Sequence, residues 1–403
     1  MRKLLAPNWF LALSFVLLFV CPGVGEAQQA TLGGVVPITS LGARTPIPLP
    51  VLTPEGGPLI FSDAPEILND TMDLPGAMYR DQVEGEFRVF YHHQNKTSGK
   101  LNIGVALTNT TDQSELLFAI GQGRGLSVFP DLAGQAALSG FLGSHQAVSF
   151  LASLPSGQTY WSVQSVPVGD TASAILQYAL ITLPDGAEMT AVPLALLQDL
   201  NPSPFNADGE FVNEPALPAG FGYGGATVTT LAYSGQAPSD PTTVPILAAP
   251  RPTRGTFPHF DRFGSFAIST ARGLQVLGVD TALAQAMPGE YEKGVDAVDG
   301  GVKIYDVGNY GVLYNFRILV KNSVPDHPTP FGLLMWPSGG FGHYVMLTDG
   351  NLALSPFVKY TSAWWFDELR LEGVPTVIDL ETSLTGGSYG PQRLLFDPGF
   401  NGQ

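Results

Sequence analysis

The chain has 403 residues, with 19 Lys and Arg against 35 Asp and Glu, a formal net charge of −16. That balance works against nucleic acid, whose phosphates demand basic contacts, and against adsorption to anionic lipid. Only 13% of residues are charged while Gly and Pro number 47 and 34, which points to strands joined by many turns rather than to salt-bridged amphipathic helices.

The first elements form a leader. Arg2 and Lys3 precede an apolar run from Trp9 to Val20, and Gly25-Glu26-Ala27 places small residues at the positions a signal peptidase reads. The pattern predicts a signal peptide over 1–27 cleaved after Ala27, because the run is shorter than the roughly 20 residues a bilayer span needs. Cys21, the single cysteine, falls inside it. Cleavage leaves no thiol, so disulfides and thiolate metal sites are excluded. The alternative is lipidation at Cys21, which the bulky Val20 before it disfavours; the membrane is otherwise met only through the signal peptide. Residues 28–60 are dense in Pro and Gly and read as an extended, mobile leader.

From residue 61 the pattern becomes that of strands. Glu86 to His93 alternates, and Leu101 to Asn109 follows across a turn-rich connection, which reads as a hairpin. Strands are predicted over 115–120, 146–152, 159–166, 172–183 and 228–233, and helices over Asp131 to Leu142 and Met189 to Leu200. A Pro-rich linker over 234–253 then separates a first domain, 61–233, from a second, 254–403. The second shows strands at 264–269, 274–279, 301–305, 311–320, 331–336, 343–348, 364–371, 375–380 and 393–396. The expected fold is mainly β, with two antiparallel β-sandwich-like domains and a few short helices.

Two stretches carry a resemblance: Tyr79 to His93, and Arg254 to Arg262 together with Gly308 to Tyr314. They resemble uncharacterised secreted proteins of Gram-positive bacteria, some of which carry a copper amine oxidase-like N-terminal module and are named for it. The resemblance would cover residues 61–400 and implies secretion without a specific activity. Amine oxidation needs a modifiable tyrosine and three copper histidines. Asn309-Tyr310 lies between glycines, and no His-x-His is present.

Candidate chemistry is sparse. His92 and His93 are neighbours on a strand and point to opposite faces, one packed and one toward water. His259 and Asp261, at i and i+2, fall on one face of a strand and with His343 could hold a divalent metal; a polar turn is the alternative. Asp296 to Gly301 reads as a hairpin turn or a structural calcium loop. No other cofactor is expected. Gly121-Gln122-Gly123-Arg124-Gly125 reads as a glycine-rich loop after a strand, lacking the residues of a phosphate site. Ser139-Gly140 and Ser144-His145 do not form a nucleophile elbow, and no Ser/His/Asp set stands out. Asn69, Asn95 and Asn109 open glycosylation sequons.

The aromatics carry the remaining signal. Trp336, Tyr344, Trp364 and Trp365 are the candidate ligand-binding residues; of the adjacent tryptophans one is expected in the core and one outside, free to stack on a sugar or anchor a protein. The sequence thus suggests a secreted, non-enzymatic structural or binding protein at the cell surface. Its alternatives are binding of cell-wall glycan, or an extracellular hydrolase whose carboxylates converge only in the fold.

Overall fold

In a computed structural model, the structure describes residues 31–145, 147–182, 217, 220–249, 253–281, 283–323 and 327–400. The expected signal peptide, Ala27, Cys21 and the predicted helix over 189–200 lie outside them. The protein is mainly β, with one α-helix, α1 (Pro130–Leu142), among the described residues. No helix there is long and apolar enough to cross a membrane.

Among the described residues two sandwiches account for four of the five sheets, and the fifth pairs Phe341–Gly342 with Val358–Lys359. In the first, a ten-stranded sheet centred on Glu86–Lys96 and Thr171–Thr182 faces a four-stranded one that includes Leu101–Asn109 and Gly225–Tyr233. Val89, Tyr91, Leu176, Tyr178, Val105 and Val228 fill the space between. In the second, two six-stranded sheets enclose Phe316, Ile318, Met335, Trp364 and Leu394. Most pairings are antiparallel, but Asp261–Ser269 runs parallel to Leu313–Lys321, and Leu59–Ser62 parallel to Glu86–Lys96.

Strands Glu86–Lys96 and Leu101–Asn109 are not a hairpin, because they lie in opposing sheets. The connection is an arch, pinned by the Asn95 amide, which donates to the carbonyls of Gly99, Val166 and Pro167. Asn95 Oδ1 in turn accepts from the N–H and hydroxyl of Thr97. Asn109 repeats the device with Thr111, Gln113 and Leu154 at the other end of the same strand. Both sequon asparagines are therefore buried turn staples, and Asn69 holds Thr71 in the same way.

The expected leader is woven into the sheets over its described part. Val35–Pro37, Thr45–Pro46 and Thr53–Glu55 are the outermost strands of the second sandwich, and Leu59–Ser62 lies inside the first. An edge strand needs ladder bonds on one side only, so it tolerates the prolines that suggested a free segment. The described part of the 234–253 segment, 234–249, is likewise a strap on the first sandwich: Val244 and Leu247 are buried, and Arg80 donates to the carbonyls of Pro241 and Val244. The expected boundary at 253/254 is crossed too, since Arg254–Phe257, Gly294–Asp296 and Val302–Ile304 extend the ten-stranded sheet.

The glycines at 121, 123 and 125 are not in a loop. They sit in strand Glu115–Ser127, on the face against which α1 lies flat. A Cβ on Gly123 would fall 1.7 Å from the Ala137 carbonyl oxygen, and one on Gly125 1.8 Å from that of Ala133. Alternate glycines remove the side chains that would hold the helix away. On its far side α1 meets loop 383–390, where a Cβ on Gly134 would lie 2.0 Å from the Gly386 oxygen. The helix thereby fills the junction of the two sandwiches. A third apolar cluster, including Phe61, Phe90, Phe141, Phe260, Leu313 and Val345, draws on both.

Candidate functional site

The junction is organised by the outer face of strand Glu86–Lys96, which presents Arg88, Phe90 and His92 in alternation. Arg88 is fully buried. It donates to Gln177 Oε1 at 3.0 and 2.6 Å and to the carbonyls of Phe260 and Gly311 at 2.8 and 3.1 Å. It pairs with Asp261 Oδ1 at 2.9 Å, and its guanidinium lies between the rings of Phe141 and Phe260. Burial pulls Arg88 below its usual range, an effect that Asp261 opposes. Burial likewise raises Asp261, against the pull of Arg88. This side chain rivets the first sandwich to the start of the second.

Two positions along the face, a cavity of about 150 Å³ opens between the sandwiches. Its walls are Asp63, Glu66, Phe90, His92, Tyr310 and Tyr389, and the backbone of Gly386 and Gly387 closes one side. Glu66 and Tyr389 are exposed, and Asp63 is half-buried. His92 is 3% exposed, and neither of its ring nitrogens has a hydrogen-bond partner among the described residues. Burial, with the neighbouring His93, depresses its pKa to about 3, so the ring is neutral. Asp63 is raised well above the usual carboxylate range, first by burial and then by the charges of Glu66 and Asp306.

Loop 383–390 is the far wall and is tied down. The Ser388 hydroxyl donates to the His343 carbonyl and accepts from its N–H. Thr385 donates to the same carbonyl, Tyr310 to the carbonyl of Ser388 at 2.8 Å, and Tyr344 to that of Tyr389 at 2.7 Å. The loop carries Tyr389 to the surface beside Phe341 and Phe357. Ring centroids lie 5.1 Å apart for Phe341–Tyr389 and 5.9 Å for Phe341–Phe357. The three are 46% (Phe341), 43% (Phe357) and 55% (Tyr389) exposed. They form a contiguous aromatic cluster at the mouth of the cavity.

None of the four aromatics expected to meet a ligand is open. Trp364 is fully buried between the sheets of the second sandwich against Phe366. Trp365 points the other way, as alternation requires, but the 33–41 segment covers it: the Gly33 N–H donates to its carbonyl, its N–H to Gly34, and Val36, Leu41 and Phe400 pack around it. Trp336 is half-buried, capped by Arg44 and bonded to the Tyr360 carbonyl. Tyr344 is buried in the second core, and its hydroxyl anchors the loop.

The three expected metal ligands do not meet. His259 pairs with Glu292 at 2.8 Å, Asp261 with Arg88 at 2.9 Å, and His343 with Asp131 at 2.9 Å. The strand begins only at Asp261, so the alternation assumed for His259 does not reach it. Among the described residues no group of three His, Cys, Asp or Glu is placed to hold a metal ion. Asp296 caps the N–H groups of Val298 and Asp299 and faces Arg254, as a turn rather than an open cation loop. The buried Asp280–Glu290 pair is internally bonded: Glu290 accepts from the backbone of Asp280 and Met287, and Tyr314 donates to Asp280.

His93 faces the first core, where its ring bonds Ser62 and the Pro65 carbonyl. The expectation that one of the pair meets water fails because both faces of the sheet are covered. Sequence reasoning passed over Asp63, Glu66, Phe341, Phe357 and Tyr389. They come from separated stretches, and only the Pro-flanked Asp63-Ala64-Pro65-Glu66 offered a local signal of an acidic turn.

No protein-family model matches the chain, and no curated protein sequence matches it. Among solved structures, Lac15 from a marine microbial metagenome aligns over 78% of this chain and 53% of its own, at 11% identity and a TM-score of 0.14. A multicopper oxidase from Campylobacter jejuni aligns over 74% and 48%, at 9% identity and 0.11. The M60 catalytic domain with the CBM51-1 and CBM51-2 domains of Clostridium perfringens ZmpB aligns over 91% and 39%, at 8% identity and 0.16. This chain spans about half or less of the length of those structures, and at such TM-scores the likenesses carry no argument.

Proposed function

We propose that this is a secreted, non-catalytic binding protein of the cell surface or extracellular space, and that its ligand is a glycan held on the Phe341–Phe357–Tyr389 cluster. The carrying observation is that cluster: three contiguous, exposed rings, with Phe341 on a short strand, Phe357 just before its partner strand and Tyr389 on a loop fixed by side-chain hydrogen bonds, where the two sandwiches meet. Exposed aromatic faces suit the apolar faces of sugar rings, and rings held in place lose little entropy on binding. Secretion rests on the leader pattern of residues 1–27 and on the acidic composition. A hydrolase has less support at this place, because the adjoining cavity of about 150 Å³ is below the 300–1,000 Å³ of ordinary ligand clefts. It has room for a substituent and not for a sugar ring with its neighbours.

The test is a glycan array probed with the purified exported protein and with its Phe341→Ala variant. Binding to at least one glycan class, lost in the variant at unchanged thermal stability, is the expected result. A parent protein that binds no glycan contradicts the proposal.

A further inference from the structure

The cavity beside the aromatic cluster has a chemistry of its own. Two acidic residues, Asp63 and Glu66, line it, and among the described residues no Lys or Arg does. Phe90, Tyr310 and Tyr389 add aromatic walls, the first two stacked with centroids 6.0 Å apart. His92 adds a buried neutral imidazole with no partner on either nitrogen among the described residues, so one ring nitrogen is an acceptor awaiting a donor. We propose that this cavity is a subsite for a primary ammonium group, so that the preferred glycan contains amino sugars with free amines. The inference rests on the glycan reading for its second half only.

Each competing occupant leaves something unsatisfied. An anion is repelled by both carboxylates. A neutral hydroxyl or a lone water would satisfy His92 but gain no charge attraction from the two acidic groups. A metal ion needs three or four ligands converging at roughly 2.0–2.6 Å, which the described residues do not provide, whereas an ammonium group is met at the longer hydrogen-bond distance. An alkylammonium group has three N–H donors for two carboxylates and one imidazole, and its charge is favoured against aromatic faces. Asp63 is held above the usual carboxylate range by burial first and then by the charges of Glu66 and Asp306, and a bound cation would oppose that shift. Tyr389 belongs to both the cavity and the exposed cluster, so a sugar on the cluster can place a substituent inward.

The experiment is calorimetric titration of the full exported protein with glucosamine oligomers, N-acetylglucosamine oligomers, glucose oligomers of equal length, and n-butylammonium. Glucosamine oligomers are expected to bind at least tenfold tighter than the other two. Glu66→Gln, a substitution at an exposed residue, is expected to bring all three within about twofold, and Asp63→Asn to act in the same direction. Equal affinity for the three oligomers in the parent overturns the ammonium subsite and leaves the glycan reading intact. Binding of butylammonium that Glu66→Gln abolishes, with no oligomer bound, upholds the subsite and overturns the glycan reading. Absence of both interactions overturns both.

Discussion

His92 and His93 are adjacent on one strand and equally hidden from water, yet they live differently. His93 looks into the first sandwich, where Ser62 and the Pro65 carbonyl take both its nitrogens, and burial holds its pKa at about 4. His92 looks into the junction, where its nitrogens find nothing among the described residues. The same division runs along the whole strand. Its inner face is a closed apolar core, while its outer face alternates a rivet, Arg88, with a ring, Phe90, and an open acceptor, His92. Burial alone does not separate scaffold from site; the difference lies in whether buried polar groups are satisfied.

The largest way to break this contrast is to remove the rivet. Arg88→Met leaves Asp261 without its cation and leaves the carbonyls of Phe260 and Gly311 without their donor. Such a loss typically costs about 3–5 kcal/mol, and urea unfolding should read it. A cost below about 1 kcal/mol would mean the junction is not held by this residue.

A smaller effect sharpens the comparison of the two histidines. Each folded pKa lies below the unfolded value, so each contributes stability that is present above about pH 6.5 and is lost as pH falls toward the folded pKa. For His92 this amounts to about 2 kcal/mol at pH 5, at 1.36 kcal/mol per pKa unit. His92→Phe removes that loss together with an unsatisfied group. The variant is therefore expected to match or exceed the parent at pH 7.5, and to gain on it as pH falls to 5. It should bind butylammonium more weakly. Thermal melts across that range check the first point; a variant less stable than the parent at both pH values would show that His92 is satisfied by something the fold retains, such as an ordered water.

Much of this fold was legible in the residues, and most of the site was not. Alternation located the strands from Glu86 to Tyr233, and an acceptor followed by helical spacing located α1 within a residue of its start. The Pro-rich stretch misled because proline excludes central strands, not edge strands, and Pro37, Pro46 and Pro54 all lie on edges. That error propagated to the tryptophan pair: one was expected to point out of the core, and Trp365 does, but its cover is the very segment taken to be free. The glycines at 121, 123 and 125 misled because a close helix and a loop both demand glycine. The site itself joins residues near 63, 90, 310, 341 and 388, and no spacing along the chain encodes a meeting of two sandwiches.

The most direct measurement is a titration of the parent and of Tyr389→Ala with the tightest-binding oligosaccharide. Tyr389 is exposed and its anchoring contacts run through its backbone, so its loss is expected to move stability by less than about 0.5 kcal/mol. The account predicts at least a tenfold loss of affinity at an unchanged melting temperature. Equal affinity in the two proteins would contradict it.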